Sequence, residues 1–213
     1  MIKKILILSL LTLTIAHAEI EQEGFFVGID LANQNANVDN EISASSGNYG
    51  RETNLDNLNN QIISLKFGYE YFFTRVYARV SQYDYSQSDV KYSIKGNTYE
   101  FNIDYTPLIY TDAGRTWNIK GIIGVGLGIN NSTISHKYSP SEQLGILFDS
   151  SSTQNFMEYG YQLGMLVETK YGINVEIATR YRSGSLFEFK DNSEKTTYFL
   201  TSTEYYLGVN MLF

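Results

Sequence analysis

Hydrophobic and polar residues alternate along eight stretches of the chain, and a period of two predicts β-strands with one apolar and one polar face. The predicted strands are Gly24–Gln34, Gln61–Tyr71, Arg75–Tyr85, Thr98–Thr106, Thr116–Asn130, Phe156–Thr169, Ile173–Arg182 and Thr197–Phe213. After residue 18 the sequence has no helix-period stretch and no apolar run long enough to span a bilayer as a helix. The pattern therefore predicts an all-β fold.

The connections between the predicted strands alternate between long and short. Four polar segments, rich in Asn, Ser and Gly, are predicted as loops at about 35–60, 86–97, 131–155 and 183–196. This layout is typical of an up-and-down outer-membrane barrel, which has long extracellular loops and short periplasmic turns. One loop contains the apolar cluster Leu144–Phe148. Two interpretations of it stay open: packing against neighbouring loops, or a contact surface for a partner or lipopolysaccharide.

Charged residues of the predicted strands share the face opposite the apolar one. They are Asp30, Lys66, Glu70, Arg75, Arg79, Glu100, Asp104, Lys120, Glu158, Glu168, Glu176, Arg180, Arg182 and Glu204. With this face inside, the chain would be a transmembrane barrel; with it outside, a soluble lipocalin-like carrier. The strand lengths favour the transmembrane barrel, as do tyrosines near strand ends and glycines on the charged face, which leave room inside a narrow barrel.

All of these charged residues except Asp30 are assigned to an interior network with a structural role. Buried charges must be paired, and the mixture of signs allows pairing. The alternative is a gated ion path. An eight-stranded barrel filled by such side chains is a plug rather than a pore, so the structural role is favoured.

The first 18 residues predict a cleaved secretory signal peptide. Lys3 and Lys4 precede an apolar run, and Ala16-His17-Ala18 fits the cleavage site. The mature chain is expected to be residues 19–213, one barrel domain in the outer membrane of a Gram-negative bacterium. The sequence has no cysteine, so neither a lipid anchor on cysteine nor a disulfide is expected.

Charge and composition narrow the function. Removal of Lys3 and Lys4 leaves 14 basic and 23 acidic residues, which argues against nucleic-acid binding. His136 is the only histidine after the predicted signal peptide, so no transition-metal site and no cofactor are expected.

Three segments resemble the small OmpA-like and opacity-protein-like outer-membrane barrels. Gly24-Phe25-Phe26-Val27-Gly28 is similar to their opening strand, and Trp117–Asn130, with glycines at 124, 126 and 128, is similar to their glycine-rich central strand. Gly208, Met211 and Phe213 resemble the signal of their closing strand. The resemblance implies an eight-stranded antiparallel up-and-down transmembrane β-barrel whose last strand is recognised by the barrel-assembly machinery.

Two motifs could be taken for enzyme sites. The Gly-x-Gly-x-Gly of 124–128 lacks the spacing and the following helix of a phosphate loop, so strand glycine is the preferred interpretation. Small lipid A deacylases resemble this scaffold and use a His/Ser/acid triad, and His136 has Ser135, Ser139 and Glu142 nearby in sequence. His136 falls in a predicted polar loop, which favours a solvated histidine over a catalytic one.

The predicted function is therefore non-enzymatic: a surface protein that supports envelope integrity, contacts outer-membrane lipid and lipopolysaccharide, and presents loops for adhesion or partner binding. A lipid A-modifying enzyme, a narrow channel and a lipocalin-like carrier are the alternatives.

Overall fold

A computed structural model describes residues 23–44, 47–86, 92–136, 151–191 and 194–213. The predicted signal peptide and the Leu144–Phe148 cluster lie outside the described residues. The described part of the chain contains no helix long and apolar enough to cross a membrane.

The chain forms a closed barrel of eight long antiparallel strands with one short additional strand. The strands are β1 Gly24–Ala44, β2 Gly47–Tyr71, β3 Thr74–Ser86, β4 Tyr92–Tyr105, β5 Leu108–Thr111, β6 Trp117–His136, β7 Ser151–Thr169, β8 Ile173–Asp191 and β9 Glu194–Leu212. Their order around the barrel is β4-β3-β2-β1-β9-β8-β7-β6, and pairing of β4 with β6 closes the ring. The predicted all-β, eight-stranded up-and-down barrel is confirmed.

The short strand β5 lies where a turn was predicted, and proline explains its separation from β4. Pro107 has no N–H to donate, so the β4 ladder stops at Tyr105. The Pro107 carbonyl still accepts a hydrogen bond from Gly121 N at 2.8 Å, and pairing with β6 resumes at Leu108 opposite Lys120. β5 therefore continues β4 past a break.

The strands are staggered around the ring. Following paired residues from Asn118 of β6 through β7, β8, β9, β1, β2, β3 and β4 leads back to Gly128 of β6, ten residues further along. A shear of this kind requires the strands to tilt relative to the barrel axis. Side chains from strands far apart in the ring can consequently meet at one level of the interior.

The apolar face of the strands points outward. Phe67, Val125, Leu127 and Met157 are each more than half exposed, whereas Lys66, Lys120 and Glu158 of the same strands are buried. Such a continuous apolar belt would be costly in water and is the surface that lipid covers in a transmembrane barrel. The soluble lipocalin-like alternative, which needs the apolar face inside, is therefore wrong.

Strands extend well beyond the predicted boundaries at one end of the barrel. This end, where β1 joins β2, β3 joins β4, β6 joins β7 and β8 joins β9, is called the hairpin end, and the opposite end is called the short-turn end. The predicted loops at 35–60, 86–97, 131–155 and 183–196 are wrong where they are described. β1 continues to Ala44, β2 begins at Gly47, β4 begins at Tyr92, β6 reaches His136, β7 begins at Ser151, β8 reaches Asp191 and β9 begins at Glu194.

The physical reason is that ring pairing overrides local composition. Asn- and Ser-rich segments favour loops in isolation, but here each backbone group gains a partner on the adjacent strand, as in the run from Asn33↔Tyr205 to Ala44↔Glu194. Side chains then sort by the same alternation as lower in the barrel. Asn33, Asn35 and Asn37 are exposed, while Ala36 and Val38 are buried.

Candidate functional site: the interior of the barrel

The predicted network residues all point into the barrel and all are buried. They come from β2, β3, β4, β6, β7, β8 and β9, and Asp30 of β1 joins them. They lie in three levels between the short-turn end and the hairpin end, and a fourth level without charge closes the top.

At the short-turn level, one lysine joins two carboxylates. Lys120 Nζ lies 3.1 Å from Glu70 Oε1 and 3.0 Å from Glu168 Oε1. Asn118 Nδ2 donates to the other oxygen of Glu168 at 3.1 Å. Because two strands of the ring lie between β6 and β2 on the shorter path, the Lys120–Glu70 contact crosses the interior.

At the middle level, Glu176 of β8 accepts from two cations. Arg75 Nη2 lies 2.6 Å from Glu176 Oε1, and Lys66 Nζ lies 3.0 Å from Glu176 Oε2 and 2.7 Å from Asp30 Oδ1. Strands β3 and β8 are four steps apart in the eight-strand ring, so the Arg75–Glu176 pair spans its full diameter. The Asn210 amide also donates to Glu176.

Aromatic rings complete the middle level. The guanidinium of Arg75 lies 4.7 Å from the Phe26 ring centre, and that of Arg180 lies 4.6 Å from the Tyr206 ring centre. Such contacts stabilise a cation that has lost its water. Gln162 links Arg180 to Asp104: its Oε1 accepts from Arg180 Nε at 2.9 Å and its Nε2 donates to Asp104.

At the third level, three arginines surround two glutamates. Arg79 pairs with Glu100 at 2.7 Å and Glu204 at 3.1 Å. Arg182 pairs with Glu100 at 2.8 Å and Glu204 at 3.1 Å, and Arg180 approaches Glu204 at 3.3 Å. Glu158 is the most distant partner, 3.9 Å from Arg182. The Arg79–Glu204 and Arg182–Glu100 pairs each join strands three steps apart in the ring, so these two contacts cross the interior.

Above the charges, two tyrosines that the sequence interpretation did not assign close the interior. The Tyr83 hydroxyl donates to Asn130 Oδ1 at 2.5 Å, and the Tyr85 hydroxyl donates to Gln34. Their rings lie 5.2 Å apart, beside a cluster of buried apolar residues. That cluster includes Ala36, Val38, Leu58, Ile62, Ile94 and Leu200. The available signal was their spacing: Tyr83 and Tyr85 share the inward face of β3 with Arg75 and Arg79.

Glycine makes room for the network at Gly208. A Cβ on Gly208 would lie 2.5 Å from Asp30 Oδ1 and 3.3 Å from Lys66 Nζ, so a larger residue would collide with this ion pair. The other two residues of the predicted assembly signal, Met211 and Phe213, are exposed on the outward face. The three residues therefore do not form one cluster.

The structure places the enzyme candidates differently. Gly124, Gly126 and Gly128 lie within β6, as the strand interpretation predicted, and not in a loop. His136 was predicted in a polar loop, which is wrong: it is the last residue of β6, paired with Tyr92. Strand pairing continues past the polar segment that suggested a loop. Among the described residues, no group of His, Cys, Asp or Glu could hold a metal ion.

Comparisons with known proteins identify the fold. No protein-family model matches the chain, and no curated protein matches it significantly. Among solved structures, the chain is similar to Neisserial surface protein A, with 18% identity, a TM-score of 0.57, and coverage of 91% of this chain and 100% of that one. It is also similar to the outer membrane protein OprG from Pseudomonas aeruginosa, with 16% identity, a TM-score of 0.51, and coverage of 91% and 98%. The chain thus has the fold of the small eight-stranded outer-membrane β-barrels.

Proposed function

We propose that the chain is a non-enzymatic outer-membrane protein whose barrel is closed to ion flow and whose hairpin end projects from the cell as a rigid platform for adhesion or partner binding. The observation that carries the proposal is the Arg75–Glu176 pair, which spans the ring diameter at 2.6 Å. A side-chain pair across the full diameter obstructs a water path at that level. The charged interior therefore acts as a structural network rather than an ion path.

Further support comes from the levels on either side. Lys120–Glu70 below and Arg79–Glu204 above also cross the interior. Above them the Tyr83–Tyr85 pair and its apolar neighbours exclude ions a second time. A channel would require all of these levels to open together.

Conductance of the refolded protein in planar bilayers tests this closure. We expect no conductance steps from the wild-type barrel. The double variant Arg75→Ala/Glu176→Ala is the comparison, because it removes the pair that spans the ring. It should show conductance steps only if the levels above and below loosen as well. Regular steps from the wild-type protein would overturn the proposal and favour the narrow channel.

The orientation in the membrane can be tested by cysteine labelling, because the natural chain has no cysteine. Lys95 near the hairpin end has a side chain 60% exposed, and Lys170 lies in the exposed turn at the short-turn end. We expect a membrane-impermeant maleimide to label Lys95→Cys on intact cells and Lys170→Cys only after the outer membrane is broken. The opposite result would reverse the orientation.

We also infer that the closing strand guides assembly through Gly208, Met211 and Phe213. Phe213 is 70% exposed on the apolar face, so its ring is not needed to fill the barrel interior. Phe213→Ser should lower the amount of folded barrel in cells but not the yield of refolding in detergent. Equal losses in both would assign Phe213 to stability instead.

Outer-membrane lipid and lipopolysaccharide are the proposed surroundings of the apolar belt, and their outer leaflet would meet the barrel where its outward face turns polar. No observation on the described residues favours lipid A modification.

A further inference from the structure

A cleft of about 310 Å³ opens on the outer wall of the barrel across β1, β9 and β8. Its outward side chains are Asn35, Asn37, Tyr181, Thr201, Thr203 and Tyr205. The strand register brings them together. Thr203 is paired with Asn35 on one side and with Tyr181 on the other, and Thr201 is paired with Asn37.

The chemistry of this cleft is neutral and hydroxyl-directed. Its amide and hydroxyl groups can both donate and accept hydrogen bonds, as a sugar hydroxyl requires of its partners. Tyr181 and Tyr205 add ring faces against which the C–H face of a sugar can lie. None of the lining residues is charged, so a phosphate group would lack a cationic partner there.

The cleft lies at the edge of the apolar belt, and this position favours a ligand that is attached to a lipid. Leu31 and Leu207, exposed members of the apolar belt, are paired with each other directly below the cleft, two residues from Asn33 and Tyr205 respectively. Tyr181 is stacked on Tyr161 with ring centres 5.1 Å apart, which holds one wall in place. Tyrosines at such a boundary lie at headgroup level. A sugar held in the adjacent lipid layer is present at high effective concentration, so modest contacts suffice.

We propose that the cleft binds the neutral sugar unit of a glycolipid in the outer leaflet. The inference rests on the membrane placement given under the proposed function, and it adds a ligand class and a site. The barrel would then be surrounded by lipid on all sides but hold one kind of lipid headgroup on a single wall.

Titration of ¹⁵N-labelled protein, refolded in phosphocholine micelles, tests the proposal. The probes are a short-chain diglucosyl diacylglycerol, free maltose and a short-chain phosphatidylglycerol. We expect the glycolipid to cause saturable shifts of the Asn35 side-chain amide and the Thr203 backbone amide. Maltose should bind at least about tenfold more weakly than the glycolipid, because it lacks the lipid anchor. Phosphatidylglycerol should cause no saturable shift at these positions.

Two variants and a matched control separate the cleft from the general lipid surface. Thr203→Val removes one hydroxyl at nearly constant shape, and Tyr205→Leu removes one wall; each should weaken glycolipid binding about tenfold. Tyr99→Leu is the control, because Tyr99 is similarly exposed and β4 lies opposite β9 in the ring. It should bind like the wild type. A heat-dependent gel shift confirms that each variant is folded.

Equal effects of Tyr99→Leu and Tyr205→Leu, or equal shifts with phosphatidylglycerol, would overturn the proposal in favour of general lipid contact. If maltose bound as tightly as the glycolipid, the ligand would not need to be a membrane lipid, and that part of the proposal would be overturned. Failure of the membrane placement itself is distinguishable, because it would appear as reversed labelling of Lys95→Cys and Lys170→Cys.

Discussion

The barrel contains two regions in which inward and outward side chains alternate along the strands. Between the two regions, the apolar and polar residues exchange faces. In the lower section, from the short-turn end up to the third charged level with Glu204, apolar side chains point outward and Lys66, Arg75 and Glu176 point inward. In the upper section, above that level, polar residues such as Asn35 point outward and an apolar cluster lies inside. On β1, β3 and β9 the alternation continues from one section into the other, so the same set of positions faces inward.

The change occurs within a few residues on each strand. On β1 the inward sequence passes from Asp30 through Ala32 and Gln34 to Ala36 while the outward sequence passes from Leu31 to Asn33. The outer solvent explains the reversal. Lipid favours an apolar exterior and leaves the interior for charges, whereas water favours a polar exterior and drives apolar groups inside. The upper section is built like an ordinary soluble barrel on top of a membrane barrel.

The largest difference between the sections should appear when an interior partner is removed. In the lower section, Glu176→Ala would leave Lys66 and Arg75 buried without their shared carboxylate. We expect a loss of about 3–5 kcal/mol in the free energy of unfolding, as for a broken buried ion pair. Urea unfolding in lipid vesicles, followed by fluorescence of the single tryptophan Trp117, measures it.

The control is Asp84→Ala, which breaks the exposed pair between Asp84 and Lys95, 2.8 Å apart. An exposed pair is screened by water and is worth about 0–1 kcal/mol. If Glu176→Ala cost no more than Asp84→Ala, the lower interior would not be a structural network.

This contrast also shows what the sequence could predict. The ends of the strands at the short-turn end were predicted within one residue, for example Tyr71, Thr169 and Ile173, because clear turn signals follow a strong alternation. The inward charges were predicted because they all occupy the strand face opposite the apolar one. Their partners were not, since a contact such as Arg75–Glu176 depends on the shear of the whole ring.

The upper section was missed for a different reason. Its alternation is weak, because Ala36, Val38 and Leu58 are separated by many Asn residues, and register shifts between Ala36 and Val38 and between Val38 and Asp39 disturb the period. Local composition then favours a loop, and only pairing with β9 supports a strand. The inward tyrosines Tyr83 and Tyr85 were likewise hidden, since tyrosine also occurs on the outward face.

Substitutions on the outward faces of the two sections should differ less in their cost to the free energy of unfolding than substitutions in the interiors. Val125 is 62% exposed within the apolar belt, so Val125→Arg places a charge in the hydrocarbon at a cost of about 2–4 kcal/mol. Gln82 is exposed on β3 beyond Val80, where the outward face of that strand turns polar, and Gln82→Arg should change the free energy of unfolding by less than about 0.5 kcal/mol. The same urea titration in vesicles compares the two variants. Equal costs would mean that the boundary between the sections lies above Gln82.

The smallest expected effect sharpens the comparison most, because it tests whether the upper section has a core of its own. Ile94 is buried in the apolar cluster with Tyr83, Tyr85 and Leu58, so Ile94→Val removes one methylene and should cost about 0.5–1.5 kcal/mol. Hydrogen exchange measured by mass spectrometry should show faster exchange for the upper parts of β2, β3 and β4. Exchange in the lower section should stay unchanged if the apolar cluster is a core of its own. Faster exchange in both sections would show instead that the barrel unfolds as one unit and that the apolar cluster merely continues the interior below it.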